Sequence, residues 1–155
     1  MTPATKALDK AKINYTVHEY QHQAGSGAYG LEAAEKLNLD VACVFKTLVA
    51  EIDNHKLVVA IIPVDKKLNM KRLAKAAGSK KAAIASPEDV QRATGYVLGG
   101  VSPIGQKKRL ATFIHDSAAL LDQCYVSGGR RGFDIGLAPN DLRAITNGQL
   151  SNLID

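Results

Sequence analysis

Apolar positions along this chain change their spacing from one segment to the next, and the changes mark out alternating helices and strands. Thr2 is placed to cap a first helix with Pro3 at its first position. The stretch "INYTVHEY", 13–20, then alternates, putting Ile13, Tyr15, Val17 and Glu19 on one face of a strand. "QAGSGAYG", 23–30, carries three glycines and predicts an irregular loop leading into a short helix over 31–38. Residues 42–50 and 57–62 predict two strands joined by the turn-like "IDNHK", an antiparallel hairpin. Asn69 can cap a helix whose Met70, Leu73, Ala74 and Ala77 follow core spacing, with Gly78 as its stop and Lys71, Arg72 and Lys75 on the opposite side. "SPEDVQRATG", 86–95, has a serine cap, a first-turn proline and first-turn acids, and ends at Gly95. Strands follow at 110–116, 123–129 and 133–137, the last two a hairpin across "GGRR", and a helix over 140–148 closes the chain. Hairpins interleaved with helices predict an α/β, mixed α+β fold: one central, mixed and largely antiparallel sheet flanked by helices.

Length and composition narrow this to a single domain spanning 1–155, since 155 residues with 46% hydrophobic content support one core and not two. No run approaches the roughly 20 apolar residues of a membrane span. The start "MTPATKALDKAKI" reads as a charged amphipathic helix and not as a signal peptide, so a soluble, cytoplasmic protein is expected. Cys43 and Cys124 lie far apart in apolar runs and read as buried, reduced thiols.

Charge changes the picture more. The net charge is +5, yet Lys66, Lys67, Lys71, Arg72, Lys75, Lys80 and Lys81 fall in one acid-free segment, 66–81, and the rest of the chain is slightly acidic. That localisation fits either a polyanion partner or a solvated helix face.

Most familiar catalytic patterns are missing. His18 and His22 sit in or beside a strand, where four residues span about 13 Å, too far for one metal ion, and neither His55 nor His115 supplies an obvious third ligand. No glycine run has the spacing of a nucleotide-binding P-loop. The loop "GGVSPIG", 99–105, can be a plain tight turn or a concavity of backbone N–H groups for a ligand. Lys46 is the sharpest anomaly, a cation inside "VACVFKTLVA", 41–50, where both faces of a strand are mostly apolar. Burying it unpaired would cost several kcal/mol. Its ammonium must therefore reach water at a strand edge, lose its proton, or meet an anion. A Schiff-base amine and a non-catalytic nucleic-acid-binding module remain open at this point, although three Phe, five Tyr and no Trp make a poor base-stacking surface.

"VFKTLV" around Lys46, "GGVSPIG" at 99–105 and "YVSGGRRG" at 125–132, in this order and at these intervals, resemble the YbaK/EbsC family of aminoacyl-tRNA editing domains. The resemblance runs over essentially the whole chain and is strongest to the free-standing deacylases. It implies trans-editing: cleavage of the ester joining cysteine to the 3′-terminal adenosine of tRNA(Pro), with Cys-tRNA(Cys) or another small aminoacyl-tRNA such as Ala-tRNA(Pro) as further substrates. The partners it implies are aminoacylated tRNA(Pro) and prolyl-tRNA synthetase in a ternary association, with no membrane, no DNA and no cofactor or metal. It makes Lys46 the central functional residue and brings Gly99, Gly100, Val101, Ser102, Pro103 and Gly105 to the pocket. Tyr20, Tyr29, Thr47, Ser127 and Asp134 follow as further pocket residues. Lys71, Arg72 and Lys75 would then hold tRNA phosphates. The family's chemistry is substrate-assisted: the cysteinyl thiol attacks its own ester carbonyl, which accounts for a sequence without a Ser-His-Asp or Cys-His arrangement.

Overall fold

The computed structural model describes residues 1–23 and 29–155, with the side chain of Tyr29 outside that set. Most of the expected 23–30 loop therefore lies outside the described residues. Five α-helices are described: α1 (Pro3–Lys10), α2 (Tyr29–Lys36), α3 (Met70–Ala76), α4 (Pro87–Thr94) and α5 (Pro139–Thr146). Eight strands accompany them: β1 (Thr16–Glu19), β2 (Phe45–Ile52), β3 (Leu57–Pro63), β4 (Ala82–Ile84), β5 (Ala111–His115), β6 (Cys124–Arg130), β7 (Phe133–Leu137) and β8 (Gln149–Ser151).

The helix ends follow local chemistry. Thr2 accepts from the backbone N–H of Thr5 while Thr5 reciprocates, a capping box at the start of α1. Asn69 and Ser86 cap α3 and α4 through the N–H groups of Arg72 and Asp89, and Gly95 ends α4 in the left-handed region. Between β2 and β3 the left-handed φ values of Asn54 and His55 turn the hairpin.

The expected single central sheet is two sheets. A five-stranded one has the order β4-β2-β3-β5-β8, and a three-stranded one the order β1-β7-β6. Pairing is antiparallel at β4-β2-β3 and throughout the smaller sheet, but parallel at β3-β5 and β5-β8. Mixed pairing and flanking helices thus hold, while among the described residues the two sheets are joined only by an isolated parallel bridge between Val44, just before β2, and Tyr125 of β6.

Both faces of the larger sheet carry buried apolar side chains along its central strands. Odd-numbered Phe45, Val49, Val59 and Ile61 pack with Leu8, Val90, Leu142, Val126 and Ile135, a core between the sheets and α1, α4 and α5. Even-numbered Ala50, Ile52, Val58, Ala60 and Ile62 pack under Leu73 of α3 and Leu153 of the C-terminal tail. Cys124 is fully buried; Cys43 is only partly so, against the expectation for both thiols. No described helix is long and apolar enough to cross a membrane.

Candidate active site

The chemistry of the site begins with an uneven strand. In β2 the bonds from Val64 N–H to Val44 O and from Ile52 N–H to Lys56 O bracket the ladder with β3, so even-numbered residues between them exchange bonds with β3. Odd-numbered residues turn their backbone groups to the other edge. There β4 pairs only with Ala50–Ile52, and one further bond runs from Ala85 N–H to Val49 O. Beyond that point no described strand pairs with the edge at Thr47.

A cavity of about 380 Å³ occupies this gap. Because it wraps the open edge, it takes side chains from both faces of β2, Lys46 and Leu48 from one and Phe45 and Thr47 from the other. Its remaining walls come from Tyr20 after β1, from Gly30 and Ala33 of α2, from Val64, from the loop at Leu98, Gly99 and Val101, and from Ser127, Arg130, Arg131 and Asp134 of the β6–β7 hairpin. Gly30 is required, since a Cβ there would overlap Val64 and push α2 off the end of β3.

Lys46 is half-buried, and burial pushes its ammonium pKa down against the smaller opposing pull of Asp65. Asp134 is almost fully buried, and desolvation raises its carboxyl to about 7. Burial first, and then the charge of Asp134, raise the phenol of Tyr20. The hydroxyl of Thr47 is buried with no hydrogen-bond partner among the described residues. Ser127 lies opposite Asp134 in the β6–β7 register, and its hydroxyl accepts from Gly129 N–H. An acid able to change protonation near neutrality, a cation and an unused hydroxyl therefore share one apolar-walled space.

The structure brings Lys46, Tyr20, Thr47, Gly99, Val101, Ser127 and Asp134 into one cavity lining. It does not bring the whole glycine loop. Gly100 packs on the hairpin, and its N–H is spent on Val97 O at 2.9 Å. Ser102 is fully buried, with its hydroxyl accepting from Ile104 N–H. Pro103 and Gly105 line a separate depression of about 270 Å³ beside Lys107, Lys108 and Arg109. Gly99 and Val101 keep N–H groups without a backbone acceptor among the described residues. The side chain of Tyr29 lies outside the described residues, although its backbone begins α2. Lys71 and Arg72 are exposed, as is Lys75, on α3, which covers the sheet face toward which Lys46 projects.

Sequence reasoning missed Arg130 and Arg131, which read as turn residues, and Glu32. Glu32 is buried and ion-paired to His22 at 2.8 Å, Lys36 at 3.3 Å and Arg131 at 3.2 Å, and it accepts from Gln23 N–H. It ties the exit of β1, α2 and the hairpin into one wall. His22 is thus engaged with Glu32, and His18 bonds Thr16 at 2.7 Å. A larger, shallower depression of about 480 Å³ along α5 holds Arg143 as its one charged side chain, bonded to Gly148 O.

Comparison with known proteins gives a consistent result. The model of the aminoacyl-tRNA editing domain matches residues 27–145. EbsC of Enterococcus faecalis, described as a candidate Cys-tRNA(Pro)/Cys-tRNA(Cys) deacylase, is 37% identical over 98% of this chain and 92% of its own. ProX of Acetoanaerobium sticklandii, a prolyl-tRNA editing protein, is 35% identical over 63% of this chain and 58% of its own. The crystal structure of a candidate trans-editing enzyme for prolyl-tRNA synthetase superposes with a TM-score of 0.84 at 21% identity, covering 99% of this chain and 95% of that one, and so shares the fold.

Proposed function

The chain belongs to the aminoacyl-tRNA editing domain family, and from that premise we propose that it is a trans-editing deacylase that cleaves cysteine from Cys-tRNA(Pro), with Cys-tRNA(Cys) as a second substrate. The observation that carries this reading is the composition of the cavity: Lys46, Thr47 and Asp134 converge there, and the described lining holds neither His nor Cys. A protein nucleophile activated by a neighbouring imidazole has no candidate among those residues. The substrate brings its own nucleophile.

Cysteine and proline are similar in size, and an apolar pocket separates ligands differing by a methylene by only about 10- to 200-fold. A thiol test supplies what size cannot. The thiol loses its proton and its sulfur attacks the ester carbonyl; the C–S bond forms, the bond to the ribose 3′-oxygen breaks, and that oxygen takes up a proton. The tRNA leaves, and water opens the resulting thiolactone to free cysteine. Asp134, with its carboxyl at about 7, is matched to accept the thiol proton near neutral pH. Lys46 offsets the charge growing on the carbonyl oxygen, with the N–H groups of Gly99 and Val101 as further donors. The Thr47 hydroxyl and Tyr20 orient the aminoacyl ribose.

The acceptor stem would lie across α3, where Lys71, Arg72 and Lys75 meet its phosphates. Prolyl-tRNA synthetase would hand over the misacylated product in a ternary association, in the cytoplasmic compartment of translation. Mixing the protein with Cys-, Ala-, Ser- and Pro-tRNA(Pro) and following ester loss tests the assignment. Rapid loss of the cysteinyl ester alone is expected; loss of none would refute it, and loss of the alanyl ester would shift it to the wider substrate class. In the same assay Lys46→Ala should lower turnover at least about a hundredfold, and neutralising Lys71, Arg72 and Lys75 together should flatten the salt dependence of KM.

A further inference from the structure

The cavity is more cationic than the aminoacyl group requires. Lys46, Arg130 and Arg131 face it against one carboxyl, Asp134, among the described lining residues. An aminoacyl ester carries no anion of its own for these cations to meet. The anion of a terminal adenosine is its 5′-phosphate, and among the described lining residues Arg130 is the exposed cation without an ion pair.

Arg131 is already committed, with its guanidinium 3.2 Å from Glu32. Arg130 has no ion pair within 4.0 Å among the described residues, yet it is held in place. Its guanidinium lies 4.5 Å from the centre of the Phe133 ring, a cation–π contact that fixes the plane of the donors. The backbone beneath it is clamped from the other side, because a Cβ on Gly100 would fall 2.8 Å from the Arg130 Cα. The same glycine loop that lines the cavity thus fixes this residue on the irregular part of the β6–β7 hairpin. Arg130 is exposed where Lys46 is half-buried. A phosphate that joins the terminal nucleotide to the rest of a tRNA must sit at the mouth, with the reacting ester further in.

We infer that Arg130 is the phosphate subsite of this cavity, binding the 5′-phosphate of the terminal adenosine and leaving Lys46 for the reacting ester; the inference rests on the deacylase reading and divides its charges. A planar guanidinium presents paired donors to two phosphate oxygens, and such contacts are among the stronger hydrogen bonds in water.

The test compares 5′-AMP with adenosine in equilibrium titrations of the full-length protein, wild type against Arg130→Gln and Arg130→Lys. Wild type should bind AMP about tenfold or more tightly than adenosine, Arg130→Gln should bind the two within about twofold, and Arg130→Lys should keep part of the preference. On Cys-tRNA(Pro) the Gln variant should raise KM by a similar factor with kcat retained. Equal affinity of wild type for the two ligands, including measurable binding of neither, overturns the inference, as does a Gln variant that keeps the AMP preference while its thermal melt matches wild type. A wild type that discriminates AMP through Arg130 but leaves Cys-tRNA(Pro) intact would refute the deacylase reading and not this one. A deacylase whose KM ignores Arg130 would do the reverse.

Discussion

The two halves of β2 share a strand, a neighbour in β3 and an apolar composition, yet one half is core and the other is the site. Ala50 pairs with Val58 on one side and Ile84 on the other and is fully buried. Lys46, four residues earlier and on the same face, has Ile62 on one side and an open cavity on the other. What separates them is the reach of β4, three residues long. Backbone groups that β4 satisfies disappear into the sheet; those beyond it stay available, and with them the side chains that flank them.

The strongest way to break this comparison is to move the cation. Ala50→Lys puts an ammonium on the same face in the closed half, where Ala50 is fully buried in an apolar cluster. It should cost on the order of 4 kcal/mol, read as a large fall in the urea midpoint, whereas Lys46→Ala should leave the midpoint unchanged or raise it. If Ala50→Lys unfolded near the wild-type midpoint, the closed half would be no more closed than the open one.

Asp134 sharpens the comparison from the opposite wall. Its carboxyl is raised by burial to about 7, so the folded state holds the proton more tightly than the unfolded chain does. The stability this contributes is complete below about pH 4 and is lost as pH rises through about 7. Asp134→Asn should therefore melt several degrees higher than wild type at pH 8, with the gain vanishing below about pH 4. The same variant should lose the rise in deacylation rate through neutral pH. A variant less stable than wild type at pH 8 would mean that the carboxylate is compensated in the free protein, and the site would lose its base.

How much of this could be read in the sequence depends on the range of the interaction. Caps are local, so Asn69 and Ser86 announced α3 and α4. Lys46 was legible because a charge in a doubly apolar strand conflicts with its own neighbours. The short edge strands β4 and β8, three residues each, are too brief to show a period, and without β4 the open edge could not be located. The join between the two sheets, Val44 meeting Tyr125, is a contact that leaves no trace in local spacing. Arginines in a hairpin turn look like ordinary solvated residues, and only the fold carries Arg130 to the cavity that holds Lys46. The loop 99–105 shows the converse error: glycine is needed both where a ligand approaches and where backbone packs on backbone, and composition does not separate Gly99 from Gly100.

The smallest effect discriminates most finely, because it exchanges one oxygen for one methyl at two positions of one strand. Thr47 and Val49 project from the same face of β2, toward the core between the sheets. Val49 is buried in the half that β4 closes, whereas the buried hydroxyl of Thr47 has no partner among the described residues in the half that β4 leaves open. A buried hydroxyl without a bond costs about 1–3 kcal/mol. Thr47→Val should therefore stabilise the free protein by about 1 kcal/mol while weakening its handling of the aminoacyl end, and Val49→Thr should destabilise by a similar amount without touching kcat. The urea midpoint reads the first pair of effects and single-turnover deacylation the second. A stability loss in Thr47→Val would show that the hydroxyl is bonded within the protein. A gain accompanied by lost activity would place the unpaired oxygen where a substrate completes what the fold leaves undone.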